Sequence, residues 1–285
     1  MTLNVRSKLL DLSRPVVMGI LNVTPDSFFD GGRYINPDSL LRQAEKMLLA
    51  GATLLDIGGA SSRPGAVEVS AAEELDRVIP AIKAVLQEFP EALISIDTWR
   101  ATIAQAAIQA GAALVNDISA GRLDNDLYPM IGSLNAVQPD GSRRASVPYI
   151  LMHMQGRPEN MQQAPEYTDV VTEVLDFFIA EVARLRALQV TDIILDPGFG
   201  FGKTVEQNYR LLRHLPVFQQ VLQLPVLVGL SRKSMICKVL KVNPGQALNG
   251  TTALHMVALQ QGVPILRVHD VREAMEVIKL WEALQ

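Results

Sequence analysis

The chain has one cysteine, Cys237, in 285 residues, so a disulfide within it is excluded and a reducing compartment fits. Cys237 follows Met235 and Ile236 in an apolar helical stretch, where packing explains it better than chemistry. Positive charge is not in excess: 26 Lys and Arg stand against 30 Asp and Glu, a net charge of −4. A nucleic-acid binder carries a basic face, so that class is disfavoured. A small anion held by local cations remains compatible. No run approaches the ~18 apolar residues that a membrane span needs. The first residues also lack the uninterrupted apolar core of a secretory signal. The expectation is a cytoplasmic protein that binds neither nucleic acid nor membrane. There is no linker and no break in composition, so 1–285 reads as a single domain.

What the sequence has instead is alternation. Short runs rich in Val, Ile and Leu recur at 16–21, 53–57, 93–96, 113–115, 149–152, 192–195, 226–230 and 265–268. Nearly continuous apolar character is how strands buried on both faces of a parallel sheet read. Helical patterns fill the gaps. Asn36 and Pro37 suit the cap and first position of a helix reaching about residue 50. Ser70 and Glu73 have capping-box spacing ahead of an amphipathic run to 89. Further helices are expected over 100–110, 166–188, 204–215, 246–261 and 271–284, with a weaker one over 123–131.

Such alternation gives an α/β fold, either a doubly wound sheet or a closed barrel. The strand ends decide between them. They carry Asn22, Asp56, Asp97, Asn116 with Asp117, His153, Asp196, Lys233 just past Ser231, and Arg267 with His269. Polar groups at every C-terminal end suit a single-domain (β/α)8 TIM barrel, whose strand ends converge on one mouth.

Four loops stand out. NVTPDSFFDGG (22–32) places Phe28 and Phe29 side by side, as a lid over an aromatic ligand or as inward packing. GGASSRPG (58–65) joins glycines to Ser61, Ser62 and Arg63, donors for phosphate or carboxylate oxygens, or is simply a surface loop. DPGFGFGKT (196–204) fits neither nucleotide-loop pattern; its glycines suit backbone under a flat ligand or a tight turn, and its phenylalanines suit pocket walls. Thr204 and Gln207 form a capping box for the next helix. GLSRKS (229–234) puts Arg232 and Lys233 at a helix N-terminus, where basic residues oppose the helix dipole unless an anion binds there. In RVHD (267–270), Arg267 and His269 share one face of a strand; the plain alternative is that Asp270 or another acid pairs them. Together the mouth gathers carboxylates for a heterocycle with paired N–H donors and cations for an anionic tail.

Taken in order, NVTPDSFFDGG, GGASSRPG, SIDT with VNDI, LMHMQGRP, DPGFGFGK, GLSRKS and RVHD resemble the dihydropteroate synthase family across nearly the whole chain. The resemblance implies condensation of 6-hydroxymethyl-7,8-dihydropterin pyrophosphate with 4-aminobenzoate, in folate biosynthesis, with loss of pyrophosphate. It implies Asp97, Asn116, Asp196 and Lys233 on the pterin, with Arg267 stacked over the ring. Asn22 would ligate Mg²⁺, which with Ser62, Arg63 and His269 would hold the pyrophosphate. Phe28, Pro64 and the helix start at Ser234 would frame 4-aminobenzoate. Asp97, Asp196, Lys233 and Arg63 would carry the catalysis, without a protein nucleophile. A homodimer is also implied, as is a site of the kind that sulfonamide-type analogues target. Ala60 and Ser62 stand where the family commonly has Glu and Thr, and Phe29 where it often has Ser. The polar stretch 132–147 reads as a surface loop at the opposite end of the barrel. The rival readings are a pterin-binding methyltransferase with a corrinoid partner, a catalytically silent pterin-binding paralogue, and a barrel of unrelated chemistry.

Overall fold

The computed structural model describes residues 1–6, 8–24, 37–60, 69–137, 146–158, 160–161 and 165–285. The chain opens with an antiparallel hairpin, β1 (Thr2–Val5) and β2 (Lys8–Asp11), which the apolar runs did not announce. Eight parallel strands follow: β3 (Val16–Asn22), β4 (Leu54–Gly58), β5 (Leu93–Asp97), β6 (Leu114–Asp117), β7 (Tyr149–Met152), β8 (Ile193–Asp196), β9 (Leu227–Val228) and β10 (Ile265–Val268). Their order is β8-β7-β6-β5-β4-β3-β10-β9. A bridge between Leu195 and Val226 joins the two ends of that row, so the sheet closes into the expected barrel. β9 is shorter than the apolar run at 226–230.

Strand side chains alternate between two cores. Val17, Leu55, Val115, Leu151, Leu195, Val228 and Leu266 face outward and pack under the helices. Met18, Leu54, Leu114, Ile150, Ile194, Leu227 and Ile265 face inward. Leu3, Val5 and Leu12 of the hairpin segment complete this inner core, so β1 and β2 plug the N-terminal end of the barrel. The plug is tied down by Asn4 N–H on Asp192 Oδ1 at 2.9 Å and by Arg6 Nη1 on the Gly111 carbonyl at 2.7 Å.

The helices depart from the expectations in places with physical reasons. Ser70 caps the helix Ala71–Glu88 through the Glu73 N–H, but the Glu73 carboxylate turns to Arg77, so only half of the capping box forms. The helix expected at 204–215 forms over Val205–Arg213, and a second, unannounced helix, Leu215–Leu222, follows it with Pro216 in its first turn, where a missing N–H costs nothing. The capping box at Thr204 and Gln207 is complete. A 3-10 turn, Pro244–Gln246, replaces the start of the helix expected from 246. The weak helix lies at Leu127–Asn135, so 132–135 is helical and packed rather than looped. Gly132 lets that helix approach Leu188, and Asn135 bonds both the N–H and the carbonyl of Val147. Residues 138–145 lie outside the described residues. Cys237 is half-buried against the core, as its apolar setting implied. No described helix is long and apolar enough to cross a membrane.

Candidate active site

The inward alternation continues past the apolar layer. Two residues beyond Leu54, Leu114, Ile150, Ile194, Leu227 and Ile265 stand Asp56, Asn116, Met152, Asp196, Gly229 and Arg267. A period of two keeps them on the inner face. Asn116, Met152, Asp196, Gly229 and Arg267 line a cleft of about 340 Å³, solvent-open space included, together with Asp97, Ile118, Gly198, Phe199, Phe201 and Lys233. Five expected site residues, Asp97, Asn116, Asp196, Lys233 and Arg267, therefore meet in one place.

The floor of the cleft is ionic. Arg267 Nε donates to Asp56 Oδ2 and Nη2 to Asp97 Oδ2, both at 2.6 Å. Asn116 Nδ2 donates to the same Asp56 oxygen at 2.9 Å. The guanidinium thus bridges two carboxylates, and Asp56 proves to be its anchor. Burial pushes the Asp97 carboxyl up to about 7, with Arg267 pulling the other way. Asp196 is raised too, by burial, against the Gly198 N–H and the charges of Lys233 and Arg267. Burial works against the charge of Arg267, but Asp56 and Asp97 overcome it and lift the guanidinium above its ordinary value. Burial thus raises Asp97 and Asp196 while neighbouring cations and N–H groups oppose the rise, a balance that suits a site that must stabilise developing charge.

The loop after β8 forms one wall. Phe199 and Phe201 are buried and line the cleft, as the sequence suggested. The glycines make the tight turn that was the plain alternative, with Phe201 N–H on the Gly198 carbonyl at 3.0 Å, and they also admit neighbouring backbone. A Cβ at Gly198 would lie 1.9 Å from the His153 carbonyl, and one at Gly202 would lie 2.4 Å from the Gln155 carbonyl. Both have positive φ, 69° and 58°. They are glycine so that this loop can press against the segment after β7. Lys233 places Nζ 4.2 Å from the centre of the Phe201 ring, a cation–π contact.

Several strand-end groups do not face the cleft. Asp117 points outward, where its carboxylate accepts from Ser119 N–H and Oγ, Gly121 N–H and Tyr149 O–H. It fixes the turn after β6. His153 lies against Lys203, Nδ1 to Nζ 2.9 Å, and edge-on to Phe177. Burial, then the charge of Lys203, hold its pKa down to about 2, so it is neutral. Arg232 turns away from the mouth into a two-point pair with Asp270 and bonds to the Pro244 and Gly245 carbonyls. Asp270 therefore pairs with Arg232, while the acids that pair with Arg267 are Asp56 and Asp97; Lys233 is the basic residue of GLSRKS that reaches the cleft.

His269 stands beside Ser231, whose Oγ accepts the His269 N–H at 3.2 Å and lies 2.9 Å from Nδ1. When the Ser231 hydroxyl donates to Nδ1, Nε2 carries the proton and can donate to an oxyanion. Asn22 ends β3, half-buried. Ser234 opens the helix Ser234–Leu240 and is exposed. Phe28, Ser62, Arg63 and Pro64 lie outside the described residues. Both flanks of 61–68 are held: Arg77 Nη1 donates to the Gly59 carbonyl and Arg100 Nη2 to the Val69 carbonyl, each at 2.7 Å, while Arg100 also pairs with buried Glu74.

Among the described residues no three His, Cys, Asp or Glu side chains gather as a metal cage. A carboxamide oxygen such as that of Asn22 is a hard ligand, and Mg²⁺ usually keeps waters and substrate phosphates as its other ligands. The donor set therefore fits a metal bound mainly through substrate. Sequence reasoning missed Ile118, Met152 and Gly229 in the cleft, and the anchoring role of Asp56. The inward register would have found Met152 and Gly229.

Residues 18–269 match the family described as pterin binding enzyme. The dihydropteroate synthase of Escherichia coli (strain K12) is 46% identical over 276 residues, 96% of this chain and 93% of that protein. The crystal structure of the Yersinia pestis dihydropteroate synthase with a sulfonamide drug complex superposes with a TM-score of 0.89 at 46% identity, covering 100% of this chain and 99% of that one. The Xanthomonas albilineans dihydropteroate synthase in complex with 7,8-dihydropteroate gives a TM-score of 0.85 at 36% identity, with 100% and 99% covered.

Proposed function

The chain belongs to the pterin-binding family, among its dihydropteroate synthases, and from that premise we propose how its mouth makes 7,8-dihydropteroate for folate synthesis. The observation that carries the reading is the cleft floor: Asp97, Asn116, Asp196, Lys233 and Arg267 around a space with Met and Phe walls. Carboxylates facing a flat heterocycle accept from its paired ring and amino N–H groups. Asn116 adds a neutral polar contact, and the apolar walls hold the two faces of the ring.

The substrate is 6-hydroxymethyl-7,8-dihydropterin pyrophosphate, and the bond that breaks joins its methylene carbon to the pyrophosphate oxygen. Pyrophosphate leaves with the electron pair. Positive charge then develops on the pterin, where buried Asp97 and Asp196 stabilise it at short range. The amine of 4-aminobenzoate supplies the new bond to carbon and loses a proton. No protein nucleophile is needed. Arg63, Ser62 and the Nε2–H of His269 hold the departing pyrophosphate. Asn22 would hold Mg²⁺, which supplies Lewis-acid stabilisation of the phosphate oxygens. Phe28, Pro64 and the helix start at Ser234 frame 4-aminobenzoate. Arg267 opposes the rise that burial imposes on Asp97, while its guanidinium plane offers a stacking surface to the ring.

We place the whole of 1–285 in this one catalytic unit, working in the cytoplasm, in keeping with its single cysteine. A homodimer is supported by the exposed apolar Val221, Val239 and Leu240 on the helices Leu215–Leu222 and Ser234–Leu240. The test supplies the pterin pyrophosphate, 4-aminobenzoate and Mg²⁺ and follows both products. Pyrophosphate and dihydropteroate should appear in equal amounts. Tight pterin binding with no product would indicate a silent binder, and turnover only with a corrinoid partner would indicate a methyltransferase.

A further inference from the structure

Lys203 takes no part in the reaction above, yet its side chain is buried at the edge of the site. Its Nζ meets four acceptors, none of them a carboxylate: His153 Nδ1 at 2.9 Å, Phe201 O at 3.0 Å, Gly198 O at 3.1 Å and His153 O at 3.3 Å. A lone buried ammonium is costly, so it persists only where its surroundings satisfy its donors. Here they do so by joining two segments, the end of β7 and the loop after β8.

The same loop residues face the cleft with their other sides. The Gly198 carbonyl accepts from Lys203, while the Gly198 N–H donates to Asp196 Oδ1 at 2.8 Å. The Phe201 carbonyl accepts from Lys203, while the Phe201 ring lies 4.2 Å from Lys233 Nζ. Tyr167 O–H and the Asn208 carboxamide pin the loop at Gly202 and Gly200. Lys203 thus grips from behind the two residues that contact Asp196 and Lys233 in front.

We propose that Lys203 is a positioning residue, an internal cation that clamps residues 198–201 to the end of β7 and so sets Asp196 and Lys233 for the pterin ring. The inference rests on the reading that those two groups bind the pterin. Charge points the same way. Burial raises Asp196, and the Gly198 N–H, Lys233, Arg267 and Lys203 each oppose that rise. Around Lys203 itself stand His153, which is neutral, Asp196 and Lys233; burial lowers it to about 7, with Asp196 opposing. Below that pH it is an ammonium, and it helps Asp196 to stay ionised.

The test compares Lys203→Met with the unchanged enzyme, following KM for each substrate and the acid limb of kcat/KM for the pterin. We expect the pterin KM to rise about tenfold or more, as misplaced binding groups do. The 4-aminobenzoate KM should stay within about twofold, since effects at separate sites are largely independent. The acid limb should move to higher pH, because Asp196 loses a neighbouring cation and holds its proton more tightly. Lys203→Arg, which keeps the charge, should return the limb toward its original position. A folded Lys203→Met enzyme with an unchanged pterin KM and limb, or with both KM values raised alike, overturns the inference. If the Met variant does not fold, Lys203→Gln and Lys203→Arg take its place, and failure of all three to fold would make Lys203 a folding element only. Should the unchanged protein bind pterin without turnover, the functional reading fails separately, and the pterin Kd of the same variants still decides the role of Lys203.

Discussion

The two ends of this barrel are built on the same strands and the same inward register, yet they do opposite work. At the N-terminal end, Met18, Leu54, Leu114, Ile150, Ile194, Leu227 and Ile265 meet Leu3, Val5 and Leu12 of the hairpin plug in an apolar layer. Two residues further along most of those strands, about 7 Å away, the layer becomes Asp56, Asn116, Asp196 and Arg267. Apolar burial at the plug favours folding wherever it occurs. Burying the carboxylates and guanidinium at the mouth has to be offset by mutual pairing. One end stabilises the scaffold, and the other uses that rigidity to hold charges that water would otherwise screen.

The comparison breaks most visibly at Arg267. Arg267→Ala leaves Asp56 and Asp97 buried without their cation, and we expect a loss of about 3–5 kcal/mol in denaturant unfolding together with loss of product formation. A variant with wild-type stability would contradict the ion-pair account of the floor. At the other end, Leu3→Ala should cost about 2–5 kcal/mol with kcat/KM unchanged at a temperature where the variant is folded. Lost turnover in a folded Leu3→Ala enzyme would show that the ends are not separable in this way.

The smallest effect concerns pH, and its sign differs between the ends. Asp97 is raised from 3.8 to about 7, so the folded state holds its proton more tightly than the unfolded chain. Its contribution to stability is complete below about pH 4 and fades as pH rises through about 7. Activity should run the other way, with kcat/KM for the pterin rising as Asp97 and Asp196 ionise; Asp97→Asn should flatten the stability dependence and leave in kcat/KM only the limb that belongs to Asp196. At the plug, Asp11 is lowered by its hydrogen bonds from Ser13, so its small contribution is lost as pH falls through that lowered value. Stability profiles of the Asp97→Asn and Ser13→Ala variants separate the two signs.

Much of this division was legible in the sequence. The apolar runs located all eight barrel strands, and the polar strand ends located Asp97, Asn116, Asp196, Lys233 and Arg267 at the mouth. A polar strand end was too coarse a signal in two cases. Asp117 and His153 lie one register step off the inward face, and they hold turns and loops instead. The glycine pattern of 196–204 suits a flat ligand or a tight turn, but Gly198 and Gly202 also admit the backbone of His153 and Gln155, a contact between segments more than 40 residues apart that local pattern cannot reveal. The hairpin escaped notice because two strands of four residues with mixed exposure lack a continuous apolar run.

The central claim is that the mouth, and not the scaffold, carries the synthesis of dihydropteroate. Its most direct test is Lys233→Ala, assayed for dihydropteroate and pyrophosphate with both substrates and Mg²⁺, beside a melting curve. The account predicts product formation reduced by about 10²-fold or more with a melting temperature close to that of the unchanged enzyme. Full turnover in the folded variant would contradict it.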